Sequence, residues 1–171
     1  MKLRVINGGG RCQSADGRGR FPQRGLHLID IENLAGAAWP TLEQIRGVQD
    51  KYTGRLAFGT VDHFVVASSH KTLLDAALGW PRARYKVRSG PDGADLELLD
   101  VLRHENVAGR FTRVVIGSGD GVFADAAAEL TDAGIPVIVV SIRDQLSARL
   151  KLAASEVIYL DDAPPPVPVA A

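Results

Sequence analysis

Between residues 25 and 162 the sequence alternates short apolar runs with longer amphipathic stretches, and few folds accommodate this order. Six short runs, most of them rich in Val, Ile and Leu, are predicted to be strands: 26–29, 64–67, 83–87, 113–116, 136–140 and 157–160. Five stretches have helical spacing of their apolar residues: 41–52, 70–78, 94–104, 123–133 and 144–154. Strands that alternate with helices form βαβ units, so we predict a three-layer α/β fold with a mostly parallel central sheet.

The two ends of the chain differ in composition from this alternating region. Residues 1–24 carry six Lys and Arg against one acid, Asp16, and have three consecutive glycines at 8–10. A segment with so little apolar surface cannot offset its ordering entropy by burial, so we predict a mobile basic tail. Residues 163–171 contain four prolines and are predicted to form an extended C-terminal tail. The predicted domain therefore spans residues 25–162.

The composition limits which partners, covalent cross-links and cell compartment are expected. The 171 residues carry no formal net charge, so any contact with nucleic acid has to come from a local basic patch. A single cysteine, Cys12, allows no internal disulfide, disfavours a zinc cluster and fits a reducing compartment. No apolar run approaches the roughly 18 residues of a membrane span, and we expect a cytoplasmic protein with no membrane partner.

Acidic residues lie where the predicted strands end. Asp30 directly follows the first strand, Asp95 begins the helix after the third, and Asp120 follows the fourth within the glycine-rich segment 117–121. In an open parallel sheet, the loops at the carboxyl ends of the strands form the ligand crevice, which opens where the strand order reverses. If the fourth strand returns to the other side of the first, Asp30 and Asp120 flank that point. Asp95 then lies on the same edge.

Three carboxylates in one crevice repel one another unless their pKa values rise or a cation binds between them. Mg²⁺ and Mn²⁺ prefer oxygen ligands, often one or two carboxylates together with a substrate phosphate, and such a site suits phosphodiester hydrolysis. Two other interpretations stay open. A strand-end aspartate is often only a helix N-cap. The segment 117–121 could instead cradle a phosphate, although it lacks the spacing and the lysine of a phosphate-binding loop.

Four short motifs carry a family resemblance. They are HLIDIENL at 27–34, GADL at 93–96, VVIGSGD at 114–120 and the C-terminal pattern that ends in EVIYL at 156–160. In this order and spacing they resemble NYN domains, a group of PIN-like nucleases, from residue 25 to residue 161. The resemblance implies a PIN-like variant of the Rossmann-like fold and metal-dependent ribonuclease activity. It also implies Asp30, Asp95 and Asp120 as catalytic, metal-binding acids and Asn33 as a polar helper in the first loop.

One position departs from the family pattern. Many relatives carry a second acid two residues after the aspartate of the Ser-Gly-Asp motif, where this chain has Val122. Asp100 and Asp125 lie about one helical turn from the matched acids and are candidate substitutes. The departure leaves three outcomes open: weaker metal binding, a one-metal site, or a binding module without activity.

The expected function is hydrolysis of single-stranded RNA by a Mg²⁺- or Mn²⁺-dependent ribonuclease. The alternative is a catalytically weak or inactive RNA-binding module with the same fold. A receiver-like signalling domain also gathers acids at strand ends, but it usually has two adjacent acids after the first strand, where Asp30 is followed by Ile31. The predicted RNA contacts are Ser68, Ser69, His70, Lys71, Ser118 and Arg143, with Arg88 and Arg149 as further cations. Self-association of the chain stays open.

Overall fold

A six-stranded sheet forms the centre of the protein. The computed structural model describes residues 24–162, so the predicted tails, apart from Arg24, lie outside the described residues. The strands are β1 (Gly25–Asp30), β2 (His63–Ser68), β3 (Arg84–Val87), β4 (Arg113–Gly117), β5 (Val137–Ser141) and β6 (Glu156–Tyr159). Their order across the sheet is β3-β2-β1-β4-β5-β6, and every neighbouring pair is parallel. The predicted α/β fold is confirmed, and its sheet is fully parallel across the described strands.

Helices cover both faces of the sheet, which makes the three layers. They are α1 (Ile31–Ala35), α2 (Leu42–Arg55), α3 (Leu73–Gly79), α4 (Gly93–His104), α5 (Val107–Arg110), α6 (Ala124–Asp132) and α7 (Ala148–Ala153). On one face α1, α2 and α3 enclose a core that contains the fully buried Tyr52. On the other face α4, α6 and α7 enclose a core that contains Leu98 and Leu150. No helix between residues 24 and 162 combines the length and the apolar character that a bilayer crossing requires.

The central strand, β1, is buried along its whole length and contributes to both cores. Leu28 belongs to the core beneath α4 and α6, and Ile29 belongs to the core beneath α1 and α2. From β1 the chain moves outward to β2 and β3, and β4 then returns to the other side of β1. Ile29 of β1 pairs with Gly117 at the end of β4. The strand order therefore reverses between the carboxyl ends of β1 and β4, which is the arrangement under which Asp30 and Asp120 were expected to flank the crevice.

Three predicted helices are shorter than expected, and two further helices lack a sequence signal. The stretch 70–78 is α3, which begins only at Leu73. The stretch 123–133 is α6 preceded by a 3-10 turn at Gly121–Phe123, and 144–154 is a 3-10 turn at Arg143–Gln145 followed by α7. The prediction of a single helix over 144–154 was wrong. The N–H of Ser147 donates to the carbonyl of Gly119 at 2.8 Å, and this hydrogen bond holds the chain at the edge of the sheet just before α7. Periodicity cannot predict α1 and α5, since they have only 5 and 4 residues.

Candidate active site

Asp30 is both the last residue of β1 and the N-cap of α1. Its carboxylate accepts the backbone N–H of Asn33 at 3.1 Å, which satisfies one of the free donors at the start of the helix. No loop separates the strand from the helix, because the extended backbone of Asp30 leads directly to Ile31, which is buried in the core. Only 5% of Asp30 is exposed. The carboxylate therefore lies at the switch point of the sheet and is largely shielded from solvent.

Asp95 reaches the same edge from the first turn of α4. The chain before α4 turns tightly, with φ of 110° at Gly90 and 54° at Asp92. At Gly93 a Cβ would lie 2.3 Å from the carbonyl oxygen of Arg88, so only glycine fits this close approach. Asp95 is 8% exposed, and its Oδ1 is buried without a hydrogen-bond partner between residues 24 and 162. A buried oxygen without a donor is uncommon and suits a cation ligand.

Asp30 and Asp95 influence each other's protonation. Burial, and after it the negative charge of Asp30, raises the pKa of Asp95 from 3.8 to about 8. Burial also raises the pKa of Asp30 to about 6, although the hydrogen bond from the Asn33 backbone opposes this shift. At neutral pH the pair therefore keeps a proton when no cation is bound. Two carboxylates with a spare oxygen fit Mg²⁺ or Mn²⁺, which often bind through one or two carboxylates and complete their shell with water and substrate phosphate.

Asp120 does not complete a set of three ligands. Its carboxylate accepts the backbone N–H of Val122 at 2.9 Å, so it caps the 3-10 turn at Gly121–Phe123. Its negative charge still raises the pKa of Asp95. Over residues 24–162 no three His, Cys, Asp or Glu side chains group closely enough to hold a metal ion by themselves. Among the described residues the structure thus brings Asp30 and Asp95 together at the predicted edge, while the Asp120 carboxylate, whose charge still acts on Asp95, caps the neighbouring 3-10 turn.

Hydrogen bonds from α1 hold the loops of the neighbouring strands. The amide oxygen of Asn33 accepts the backbone N–H of Gly119, after β4, at 2.9 Å. Glu32 Oε1 accepts the backbone N–H of Ser69 and the hydroxyl of Thr72, after β2, each at 2.9 Å. The predicted polar helper, Asn33, therefore positions the loop that carries Asp120. Glu32 is missing from the predicted site, although an acid two residues after Asp30 in the same motif was the available signal.

An open cavity of about 340 Å³ lies in front of the carboxylate pair. Asp30, Glu32, Asn33 and Asp95 form much of its acidic and polar part, and the lining continues through residues 36–38, Gly90 and residues 92–94. Ser69 and Arg88 also line it. Asp120 is not among the lining residues. The cavity is therefore bounded by α1 and the segment after it, by the loops that follow β2 and β3, and by Gln145 after β5.

The predicted RNA contacts fall into different environments, and two of them need correction. Ser68 and Ser118 are fully buried, so neither offers a surface to RNA. Ser118 instead accepts the backbone N–H of Asp120 at 3.2 Å. His70 is exposed, and both its ring Nδ1 and its backbone N–H are within hydrogen-bond distance of Ser89 Oγ. Strand-end serines follow apolar runs in either environment, so the sequence does not distinguish the buried ones.

The predicted cations also differ in their availability. Arg143 pairs with Asp162, and Arg149 pairs with Asp125, so both are engaged at the surface. Lys71 lies over the ring of an exposed tryptophan. Arg88 is exposed, lines the cavity and makes no ion pair with any residue from 24 to 162. Arg88 is therefore the cation best placed to bind a phosphate in front of the carboxylate pair.

The fold is shared with a solved structure of undefined activity. The chain is similar to a protein of unknown function from Vibrio parahaemolyticus, whose crystal structure matches 82% of this chain and 94% of its own with a TM-score of 0.55. The two sequences are 15% identical, so the likeness shows the fold alone. A scan against protein-family models gives no match, and a search of curated protein sequences gives none either. The function therefore has to be argued from the site.

The raised pKa of Asp95 predicts a stability change with pH. The folded state keeps a proton on Asp95 that the unfolded chain has lost, so the free energy of unfolding falls as pH rises toward about 8. Below pH 6.5 an opposite slope is superimposed, because burial lowers the pKa of His27 to about 4. Between pH 6.5 and 8 we therefore expect the metal-free protein to lose about 1 to 2 kcal/mol, given at most ~1.4 kcal/mol per pH unit for one proton.

Thermal unfolding in EDTA at pH 6.5, 7.2 and 8.0 measures this slope. The Asp95→Asn variant is the matched control, and its curve should be nearly flat over the same range. Adding Mn²⁺ should also flatten the wild-type curve, since a cation bound only to the folded state replaces the proton. An equal slope in wild type and variant would mean that Asp95 titrates normally.

Proposed function

We propose that this protein is a Mg²⁺- or Mn²⁺-dependent ribonuclease whose cation is held by Asp30 and Asp95. The observation that carries the proposal is the buried carboxylate pair at the sheet's switch point, with the unpartnered Oδ1 of Asp95 beside an open cavity. A shared proton or a bound cation relieves the repulsion within such a pair. The resemblance of the motifs around Asp30, Asp95 and Asp120 to NYN domains favours the cation and an RNA substrate.

Each residue of the site has a task in this proposal. Arg88 binds a phosphate of the substrate strand and so aligns the scissile phosphate with the pair. Asn33 keeps the loop after β4 against α1, which fixes the position of Asp120. When bound, the cation supplies an activated water and neutralises charge on the phosphate. In the overall hydrolysis, water adds its oxygen to phosphorus and the bond from phosphorus to the departing sugar oxygen breaks.

The test is cleavage of an end-labelled single-stranded RNA by the full chain. We expect cleavage in Mn²⁺, weaker cleavage in Mg²⁺ and none in EDTA. Mn²⁺ is expected to be preferred because Mg²⁺ requires a near-ideal octahedron of ligands. Two carboxylates fix that geometry less completely than a larger set of ligands would. A preparation of Asp95→Asn purified in parallel controls for contaminating nucleases. Cleavage that persists in EDTA, or equally in the Asp95→Asn preparation, would contradict a metal-dependent reaction at this site.

A second candidate is an RNA-binding module with little or no catalysis. It is favoured by one observation: the Asp120 carboxylate is engaged with the Val122 N–H, and the residues from 24 to 162 do not group three ligands. Position 122 is exposed and carries no acid. Single-turnover experiments with protein in large excess over RNA separate the two candidates. Binding without any product under these conditions would favour the module.

A further inference from the structure

The chain has two tryptophans in opposite environments. Trp80 is 2% exposed and lies in the core beside Tyr52, whereas Trp39 is 64% exposed. Tryptophan is highly buried on average, so an exposed one is a feature that needs a reason. Trp39 lies in the segment between α1 and α2, directly after Ala37 and Ala38, which line the candidate active site. Trp39 does not itself line the cavity that contains Asp30 and Asp95, but it is bonded directly to the lining residue Ala38.

A lysine accompanies this indole. Lys71 Nζ lies 4.2 Å from the centroid of the Trp39 ring, which is a cation–π contact. Lys71 follows β2, two residues after Ser69, another lining residue of the cavity. The contact therefore joins the segment after α1 to the loop after β2. It places an aromatic face and a positive charge together within one or two residues, along the chain, of lining residues of the cavity.

We propose that Trp39 is a stacking platform for an unpaired RNA base next to the scissile phosphate, with Lys71 contacting the adjoining backbone. This inference rests on the proposed function and specifies how its substrate is chosen. Aromatic side chains hold single strands because every base has a free face, whereas the bases of a duplex are already stacked on both sides. Arg88 lines the cavity as a second cation, so a strand held by both cations passes the acids. The site therefore selects an unpaired nucleotide.

A second copy of the chain is the competing occupant of this surface. A stable protein interface buries roughly 800 Å² on each partner and has a core depleted in charge. Lys71 lies over the Trp39 ring and Arg88 lines the nearby cavity, and these two cations match the phosphates of a nucleic acid better than an apolar partner. Leu74 on α3 is 70% exposed and belongs to the same helical layer, so it serves as a control for non-specific apolar contact.

Tryptophan fluorescence of the full chain tests the proposal. Binding of oligoadenylate in EDTA should quench the emission of Trp39, while the buried Trp80 gives a constant background. Trp39→Phe should lose the quenching but keep affinity for the labelled strand, because phenylalanine still stacks. Trp39→Leu should weaken binding roughly 5- to 150-fold, the range that corresponds to one stacked base. Leu74→Ser should bind like the wild type, and a duplex of the same length should bind more weakly than the single strand.

Each outcome bears on the proposal. Quenching together with an affinity loss in Trp39→Leu and retention in Trp39→Phe supports stacking, even if the wild type never cleaves RNA. Unchanged affinity in Trp39→Leu overturns it, even if metal-dependent cleavage is present. An equal loss in Leu74→Ser, or a concentration-dependent dimer that disappears in Trp39→Leu, also overturns it, because the surface then serves apolar association. The inference and the proposed function can therefore fail separately.

Discussion

Asp95→Asn is expected to lower RNA cleavage about a hundredfold or more while raising the thermal stability of the metal-free protein. A catalytic cation contributes several kcal/mol to the transition state, and each ~1.4 kcal/mol is worth a factor of ten in rate. Asparagine keeps the shape of Asp95 but removes half of the carboxylate pair. It also removes the need to take up a proton on folding, which the raised pKa of Asp95 imposes on the metal-free protein at neutral pH. Removing this proposed metal ligand is thus expected to weaken activity and to strengthen the fold.

Cleavage rates and unfolding curves of the same protein samples check this prediction. Asp100→Asn is the matched control, since Asp100 lies on the same helix, is exposed and pairs with Lys86 and His104 at the surface. We expect Asp100→Asn to cleave at the wild-type rate, which would also exclude Asp100 as the substitute acid. Wild-type cleavage by Asp95→Asn in Mn²⁺ would show that the pair does not hold the cation.

Gly119→Ala is expected to destabilise the fold strongly and to lower cleavage. A Cβ at this position would lie 2.4 Å from the carbonyl oxygen of Gln145 and 2.6 Å from Ser141 Oγ. Backbone cannot move away as a flexible side chain can, so we expect a loss of about 1 to 3 kcal/mol. For a domain of this size, each kcal/mol of lost stability lowers Tm by roughly 2 to 4 °C. Cleavage should fall too, because the N–H of Gly119 holds Asn33.

Gly47→Ala provides the control with the opposite sign. Gly47 is exposed in the middle of α2, and a Cβ there would meet nothing within 4 Å. Alanine should stabilise this helix by about 0.5 to 1 kcal/mol, because glycine loses more backbone entropy on folding. Urea unfolding of both variants gives the comparison. A Gly119→Ala protein as stable as the wild type would mean that the loop after β4 is loosely packed.

The position of the acids could be predicted from the sequence because a parallel sheet gathers its strand ends on one edge. Asp30 directly follows an apolar run and Asp95 begins a periodic stretch, so both were expected at this edge, and the structure pairs them. The role of Asp120 could not be predicted, since its carboxylate could serve either as a metal ligand or as an N-cap. The choice between a ligand and a cap depends on the 3-10 turn at Gly121–Phe123, which is too short for a sequence signal.

Contacts between distant segments account for the rest of what the sequence could not predict. The burial of Ser68 and Ser118 depends on which neighbours cover the strand ends, and a periodicity argument says nothing about these neighbours. The exposure of Trp39 has the same origin, because an isolated tryptophan in a sequence predicts burial. The break before α7 follows from the bond between Ser147 and Gly119, which join segments that follow different strands.

The five-residue helix α1 determines how the site can fail. Its cap residue Asp30 belongs to the carboxylate pair, Glu32 bonds Ser69 and Thr72, and Asn33 bonds Gly119. One helical turn thus forms hydrogen bonds with the segments at the ends of β1, β2 and β4. Opening that turn breaks all of these hydrogen bonds together. Substitutions that destabilise α1 should therefore give two populations of protein molecules, one fully active and one inactive. They should not give a single population of molecules that all react more slowly. In a burst or titration experiment such variants would show fewer competent molecules, each with wild-type kcat and KM.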